Sequence, residues 1–229
     1  MVVFDLDDTL YLERDFALSG FAAAGAVFER ETGVRGLAER CAALFRDGER
    51  ARVFDRALAA VAPRSAAVWT PRLVDIYRGH VPRIALAPDA ARWLAANAGW
   101  RRIGIITDGS PATQRAKITA LGLDALVSTV VVTGDWGRAY WKPHARAFEE
   151  IERRCDPSGG GFVYVADNPS KDFVAPRRRG WLTVQVARPE RVHRVSAPDA
   201  AYAAEHRVRS LDALDGAIAA WTGAAETPT

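Results

Sequence analysis

Five short apolar runs set narrow limits on how this chain can fold, because four of them end on a polar residue. Val2-Val3-Phe4 leads into Asp5, Ile103-Gly104-Ile105-Ile106 into Thr107, Val130-Val131-Val132 into Thr133-Gly134-Asp135, and Phe162 through Ala166 into Asp167; the fifth is Leu182 through Val186. Rich in β-branched residues and apolar at successive positions, they read as strands buried on both faces of a parallel sheet. Helical patterns lie between them. One opens at Ser110-Pro111, a cap residue followed by proline in the first turn, and closes before Gly122. Another runs from about Pro143 to Arg154 and meets a loop at Gly159-Gly160-Gly161. Alternating strands and helices predict an α/β fold, a Rossmann-like parallel-sheet core with right-handed crossovers.

Residues 11–87 break that rhythm. They hold no strand-like run, only helical stretches rich in Ala, Leu, Phe and Arg: Phe16 to Thr32, Leu37 to Leu44, Val53 to Val61 and Pro71 to Tyr77. A block of that length is too long for a crossover and reads as an all-helical cap inserted between strands 1 and 2. The predicted division is a core of residues 1–10 and 88–222, a cap of 11–87, and a small, polar, flexible tail of 223–229. A chain of 229 residues can bury such a core without disulfides or metals.

Composition excludes several classes. With 49% hydrophobic and 26% charged residues the chain is globular rather than disordered or fibrous. The longest uncharged stretch, Phe16 to Phe28, is too short to span a bilayer. Asp5, Asp7 and Asp8 stand where an export signal would want basic residues, so a cytoplasmic protein with no membrane partner is expected. Cys41 and Cys155 read as idle thiols. A net charge of +3 and a basic cluster of only Arg177-Arg178-Arg179, without an aromatic ladder, argue against a nucleic-acid partner; those arginines read as a solvated helix end. Nothing in the sequence speaks to oligomeric state.

In open α/β sheets ligands bind outside the carboxyl ends of the strands. Here those ends present Asp5, Thr107 and Asp167. Asp5 and Asp7, two apart as the chain leaves a strand, can both turn toward the crevice, and two adjacent carboxylates call for a cation between them or a proton on one. Asp8-Thr9 can cap the next element. Among 31 cations only Lys117, Lys142 and Lys171 are lysines. A compact ammonium suits tight space around a small anion. The positions of Lys142 and Lys171 fit such a role, whereas Lys117 reads as chance.

Val2-Val3-Phe4-Asp5-Leu6-Asp7-Asp8-Thr9-Leu10 strongly resembles the first motif of the haloacid dehalogenase-like superfamily. Ile105-Ile106-Thr107-Asp108-Gly109 is similar to its second, Trp141-Lys142-Pro143 to its third, and Tyr164 through Asp172, with acids at 167 and 172, to its fourth. The four stand in the family's order between Met1 and roughly Arg188, and the helical insert resembles the C1-type cap. Two departures are visible. Ala166 takes the place of a usual glycine, and the first strand begins almost at Met1, where relatives usually carry a few residues more.

The resemblance implies a chemistry. Asp5 would attack phosphorus and form an aspartyl-phosphate, and Asp7 would protonate the leaving alkoxide and then activate water. Mg²⁺ would be held by Asp5, the backbone carbonyl of Asp7, Asp167, and Asp172 directly or through water. Thr107, the amides of Asp108 and Gly109, and Lys142 would bind the phosphoryl group. Lys171 would orient Asp172 or stand at the surface, and Asn168 would be scaffold. Asp7 favours phosphate esters over carbon–halogen bonds, because halide leaves without a proton and the dehalogenases lack this carboxylate. The expected activity is a Mg²⁺-dependent phosphatase of a small phosphorylated metabolite. The alternatives are a phosphomutase with the same residues or a catalytically silent scaffold. A receiver-like signalling domain ranks behind these, because its acids follow a different strand order. Near the third motif Trp136 and Trp141 read equally as stacking surfaces for a substrate or as buried or rim aromatics, and His144 as a residue lining the crevice; Arg46, Arg50 and Arg52 in the cap read as an exposed helix face or as readers of an anionic substrate group. His80, His193 and His206 read as structural.

Overall fold

A computed structural model describes residues 1–155 and 161–225. Its strands are β1 (Val2–Phe4), β2 (Ile103–Thr107), β3 (Thr129–Val132), β4 (Val163–Ala166), β5 (Leu182–Val186) and β6 (His206–Val208). Its helices are α1 (Glu13–Thr32), α2 (Leu37–Arg46), α3 (Val53–Val61), α4 (Ala66–Gly79), α5 (Pro88–Asn97), α6 (Pro111–Ala120), α7 (Arg146–Arg154), α8 (Val174–Arg178) and α9 (Leu214–Ala225). The chain divides into two compact units, one of Met1–Glu13 with the residues from Ala85 onward, the other of Arg14–Ile84.

In the first unit all six strands are parallel, in the order β3-β2-β1-β4-β5-β6. This is the Rossmann-like α/β architecture that the apolar runs predict. Every residue of β1, β2, β4 and β5 is buried, as strands covered on both faces must be. Phe4 meets Trp93 of α5 edge-on at 5.1 Å, while Phe148 of α7 packs against Tyr164 and Trp181 at 5.0 and 5.4 Å. Strand order reverses between β1 and β4, where Val2 pairs with Ile103 on one side and Val163 on the other. That reversal opens the crevice beyond the carboxyl ends, so Asp5 and Asp167 emerge beside it. No apolar run announces β6, an edge strand whose residues stay partly or fully exposed.

Several boundaries differ from expectation. Helix α7 begins at Arg146, not Pro143: residues 141–145 form turns instead, with the amide of His144 bonded to Trp141 O at 3.0 Å. Ser110 precedes α6 in an extended conformation, but its hydroxyl does not cap the helix; its carbonyl receives Gln114 N at 3.0 Å. Pro71 lies inside α4 rather than at its start. Helix α9 carries on to Ala225, into the stretch expected to be a flexible tail. Gly159, Gly160 and residues 226–229 lie outside the described residues.

All the regular structure of the second unit is helical. Helices α1 to α4 bury Phe28, Leu37, Cys41, Leu58 and Leu73, and Phe21 meets Phe45, Phe54 and Tyr77 at centroid distances of 5.4 to 5.8 Å. His80 is structural, bonded to Tyr77 O at 2.6 Å and Ser19 Oγ at 3.0 Å. Both cysteines are free and buried, and burial pushes the Cys41 thiol up to about 12. No helix among the described residues is long and apolar enough to cross a membrane.

Candidate active site

Three carboxylates converge beyond the ends of β1 and β4. Asp5, Asp167 and Asp172 are all buried, and one oxygen from each lies within 4.8 Å of the others. The amide of Asp5 is bonded to Val165 O at 2.9 Å, which fixes the strand end. Asp172 is held by the turn that follows β4: its Oδ2 accepts the amide of Asn168 at 3.0 Å. Asn168 Oδ1 in turn accepts Ser170 N and Oγ at 3.0 and 2.6 Å, the scaffold role expected of it.

One cation stands inside the cluster. Lys142 Nζ lies 2.5 Å from Asp5 Oδ1, 3.0 Å from Tyr164 Oη and 2.8 Å from Asp172 Oδ1, the last at an angle that makes an ion pair but no hydrogen bond. Burial disfavours the Lys142 ammonium, but Asp172 and Asp5 outweigh it and keep the group charged. One ammonium does not balance three buried carboxylates. Burial pushes Asp5 up to about 7 against the pull of Lys142. Asp167 rises to about 9 through burial and the charges of Asp172 and Asp5, and its Oδ2 is enclosed without a hydrogen-bond partner among the described residues. An all-oxygen donor set short of positive charge, with an orphaned carboxylate oxygen, fits a hard divalent cation.

The Asp7 side chain does not join that cluster. Its Oδ1 accepts Lys117 Nζ at 2.7 Å and the Tyr11 hydroxyl, and its Oδ2 accepts Gln114 Nε2 at 3.0 Å. Burial alone would raise Asp7, but Lys117, Tyr11 and Gln114 hold it below the ordinary carboxylate range. Two acids from one strand end therefore sit in opposite environments. Asp8 turns away at a φ of 54°, and its Oδ1 caps α1 through Glu13 N at 2.9 Å, the capping role the sequence suggests.

Thr107 ends β2 buried, its Oγ1 accepting Gln114 Nε2 at 2.5 Å. The next residue is scaffold in its side chain. Asp108 Oδ1 accepts Thr133 Oγ1 at 2.8 Å and the amide of Lys142 at 3.1 Å, while Oδ2 accepts Lys171 Nζ at 2.8 Å. Lys171 thus pairs with Asp108, not Asp172. Gly109 follows at a φ of 132°, a conformation open to glycine, and leads into α6.

Sequence reasoning missed Lys117, Gln114, Tyr11 and Tyr164. Lys117 is no accident of composition: it is buried and its ammonium lies against Asp7. The spacing of Gln114 and Lys117, one turn apart on α6, is the signal that places both on one face. The outlying residues take modest parts. Trp136 is covered by Arg146 at 4.5 Å, Trp141 by Arg138 at 5.3 Å, and His144 is exposed. In the helical unit Arg50 stacks on Phe45 at 4.0 Å and Arg52 lies 4.0 Å from Asp55. Arg177 bonds the carbonyls of Ala200 and Ala203, and Arg179 pairs with Glu149 and Glu152, so these two are occupied locally.

A parallel Rossmann-like sheet with a buried cluster of three carboxylates at its point of strand reversal defines the class of molecule. Residues 1–178 match the haloacid dehalogenase-like hydrolases, and the chain belongs to that family. It is similar to glyceraldehyde 3-phosphate phosphatase of Methanocaldococcus jannaschii, 26% identical over 200 residues that span 81% of this chain and 83% of the relative. The fold resembles 2-haloacid dehalogenase of Pseudomonas syringae, with a TM-score of 0.63, 23% identity, and coverage of 96% of this chain and 98% of that one. It also resembles a HAD-superfamily hydrolase of Geobacter sulfurreducens, with a TM-score of 0.64, 16% identity, and coverage of 95% of each chain.

Proposed function

We propose that this chain is a Mg²⁺-dependent phosphatase that hydrolyses a small phosphorylated metabolite through an aspartyl-phosphate on Asp5. The observation that carries the reading is the division between Asp5, set in the buried carboxylate cluster, and Asp7, held apart by Lys117, Tyr11 and Gln114. A phosphate ester needs both a nucleophile and a proton for its leaving oxygen, whereas carbon–halogen hydrolysis needs only the first. Lys142 and a bound cation would keep Asp5 as the carboxylate that attacks, and Asp7, fixed outside that cluster, is the acid left free to serve the leaving oxygen. The likeness to a phosphatase supports the same choice.

Asp5 attacks phosphorus, and an acyl-phosphate bond forms as the ester P–O bond breaks. Asp7, ionised in the free site, takes up a proton as the phosphoryl charge enters beside it and gives that proton to the departing oxygen. The Asp7 carboxylate then takes a proton from water, whose oxygen attacks phosphorus and releases Asp5 and inorganic phosphate. Thr107, Lys142 and the amides of Asp108 and Gly109 bind the phosphoryl oxygens. Asp5, Asp167, Asp172 and the Asp7 carbonyl would hold Mg²⁺, which when bound neutralises phosphoryl charge.

The test is phosphate release from a panel of phosphorylated metabolites and an aryl phosphate, with Mg²⁺ or with chelator, for wild type and Asp5→Asn. Halide release from 2-haloacids is run beside it. Metal-dependent phosphate release that disappears in the variant supports the proposal. Halide release without phosphate release, or isomerised sugar phosphate in place of free phosphate, replaces it.

A further inference from the structure

We infer that Lys117 is a positioning residue for proton transfer: it anchors one oxygen of Asp7 so that the other is the oxygen that gives and takes the proton. The inference rests on the phosphatase reading above and on the geometry around Asp7. Lys117 Nζ and the Tyr11 hydroxyl both donate to Oδ1, so that oxygen has two fixed donors. Among the hydrogen bonds of the described residues, Oδ2 accepts that of Gln114 Nε2 at 3.0 Å and no second donor, and the same amide nitrogen reaches Thr107 Oγ1 at 2.5 Å. Oδ2 is therefore the lightly held oxygen, and it is tied through one amide to the hydroxyl that the phosphoryl group contacts. Lys117 comes from α6, whose first turn follows directly on the Thr107–Ser110 loop. The helix that carries the phosphate-binding loop thus also aims the acid. Lys117 acts on Asp7, not on the substrate. An ammonium fits the space: its side chain is 7% exposed, and it meets a carboxylate that is only 24% exposed.

The test separates positioning from mere structural support by the leaving group. A phosphate ester of 2,4-dinitrophenol leaves without a proton, whereas an alkyl phosphate cannot. For wild type and Lys117→Met, the first step is read as single-turnover release of the leaving group and the second as steady-state phosphate release. Loss of an oriented acid costs about 100-fold in the steps that need it. The expected result for Lys117→Met is therefore a first step slowed about 100-fold for the alkyl ester and less than about threefold for the dinitrophenyl ester. Its second step is slow with either, which appears as a burst of dinitrophenolate. The double variant Asp7→Asn/Lys117→Met removes both buried charges together and guards against simple misfolding. In the Asp7→Asn background the lysine change should cost less than about threefold. A uniform loss in the first step across leaving groups, or full additivity of the two changes, overturns the inference while leaving the phosphatase reading intact. Wild type that releases phosphate from no ester overturns that reading and this inference with it.

Discussion

Lys142 Nζ sits 2.5 Å from Asp5 Oδ1 with none of its side chain exposed to solvent, so the proposed nucleophile and its counter-charge meet in a closed space. Asp172 and Tyr164 complete the enclosure. A point charge there opposes the negative charge of both the carboxylate and an incoming phosphoryl group. Lys142→Met should lower phosphate release by about 10² to 10³-fold, the usual cost of removing one preorganised electrostatic contact. Lys142→Arg should not restore it, because a planar five-donor fork does not fit where three oxygens surround one nitrogen. Steady-state kinetics of the two variants against wild type decide the point. Recovery in the arginine variant would show that charge alone matters.

Asp167 is the acid whose worth depends on a cation. Without one, burial and the charges of Asp172 and Asp5 make its carboxylate costly, and its Oδ2 has no hydrogen-bond partner among the described residues. Asp167→Asn should therefore be as stable as wild type, or more so, in chelator. In excess Mg²⁺ the order should reverse, because a ligand at about 100 times its Kd stabilises the folded form by about 2.7 kcal/mol. Thermal melts of both proteins, with Mg²⁺ and with chelator, measure this directly. Parallel shifts in the two proteins would mean that Asp167 holds no metal, and phosphate release should follow the same dependence.

The strands and the motif residues were legible because their signals are local: the runs before Asp5, Thr107 and Asp167 each end on the residue they deliver to the crevice, as Phe4 does to Asp5 and Ala166 to Asp167. The contacts that organise the site are not local. Lys117 and Asp7 are 110 residues apart in sequence, and only the fold brings α6 beside the segment that follows β1. The edge strand β6 is hidden for a different reason, since a strand exposed on one side needs no apolar run. The turn at residues 141–145 escaped because Lys-Pro reads as a helix opening, whereas here it aims the lysine inward and the helix starts at Arg146.

Gly134 is a further constraint that no motif announces. A Cβ built on it would lie 1.9 Å from Gly109 O and 3.1 Å from Pro111 Cδ, so the Gly109 loop passes where a side chain would be. Both contacts are with the segment that carries Thr107 into α6, and that segment cannot shift without moving the hydroxyl. Gly134→Ala should cost about 1 to 3 kcal/mol of stability, the range for forced overpacking. It should also cost activity beyond what unfolding explains, about tenfold or more if Thr107 is displaced by a fraction of an ångström. Denaturant melts and kinetics on the folded fraction separate the two effects. Unchanged activity in the folded variant would show that the loop yields elsewhere.

Arg188 Nη1 lies 2.8 Å from both oxygens of Asp89, and its Nε and Nη2 reach the carbonyl of Thr9 at 3.1 and 2.8 Å. One buried guanidinium therefore ties the segment after Asp5 to the start of α5. Burial disfavours the Asp89 carboxylate, but Arg188, the amide of Leu211 and the Ser210 hydroxyl hold it below the ordinary carboxylate value of 3.8. A depressed folded-state pKa means that the unfolded chain takes up the proton first. The stabilisation is complete above that ordinary value and is lost as pH falls from it toward the lower folded value. Arg188→Met, which strands a buried carboxylate, should cost about 3 kcal/mol at neutral pH. The difference between wild type and variant should shrink steadily below about pH 4, since protonated Asp89 no longer needs its partner. Urea melts of both proteins across that range give the curve. A difference that stays constant into acid would place the contribution of Arg188 in its grip on the Thr9 carbonyl rather than in the ion pair.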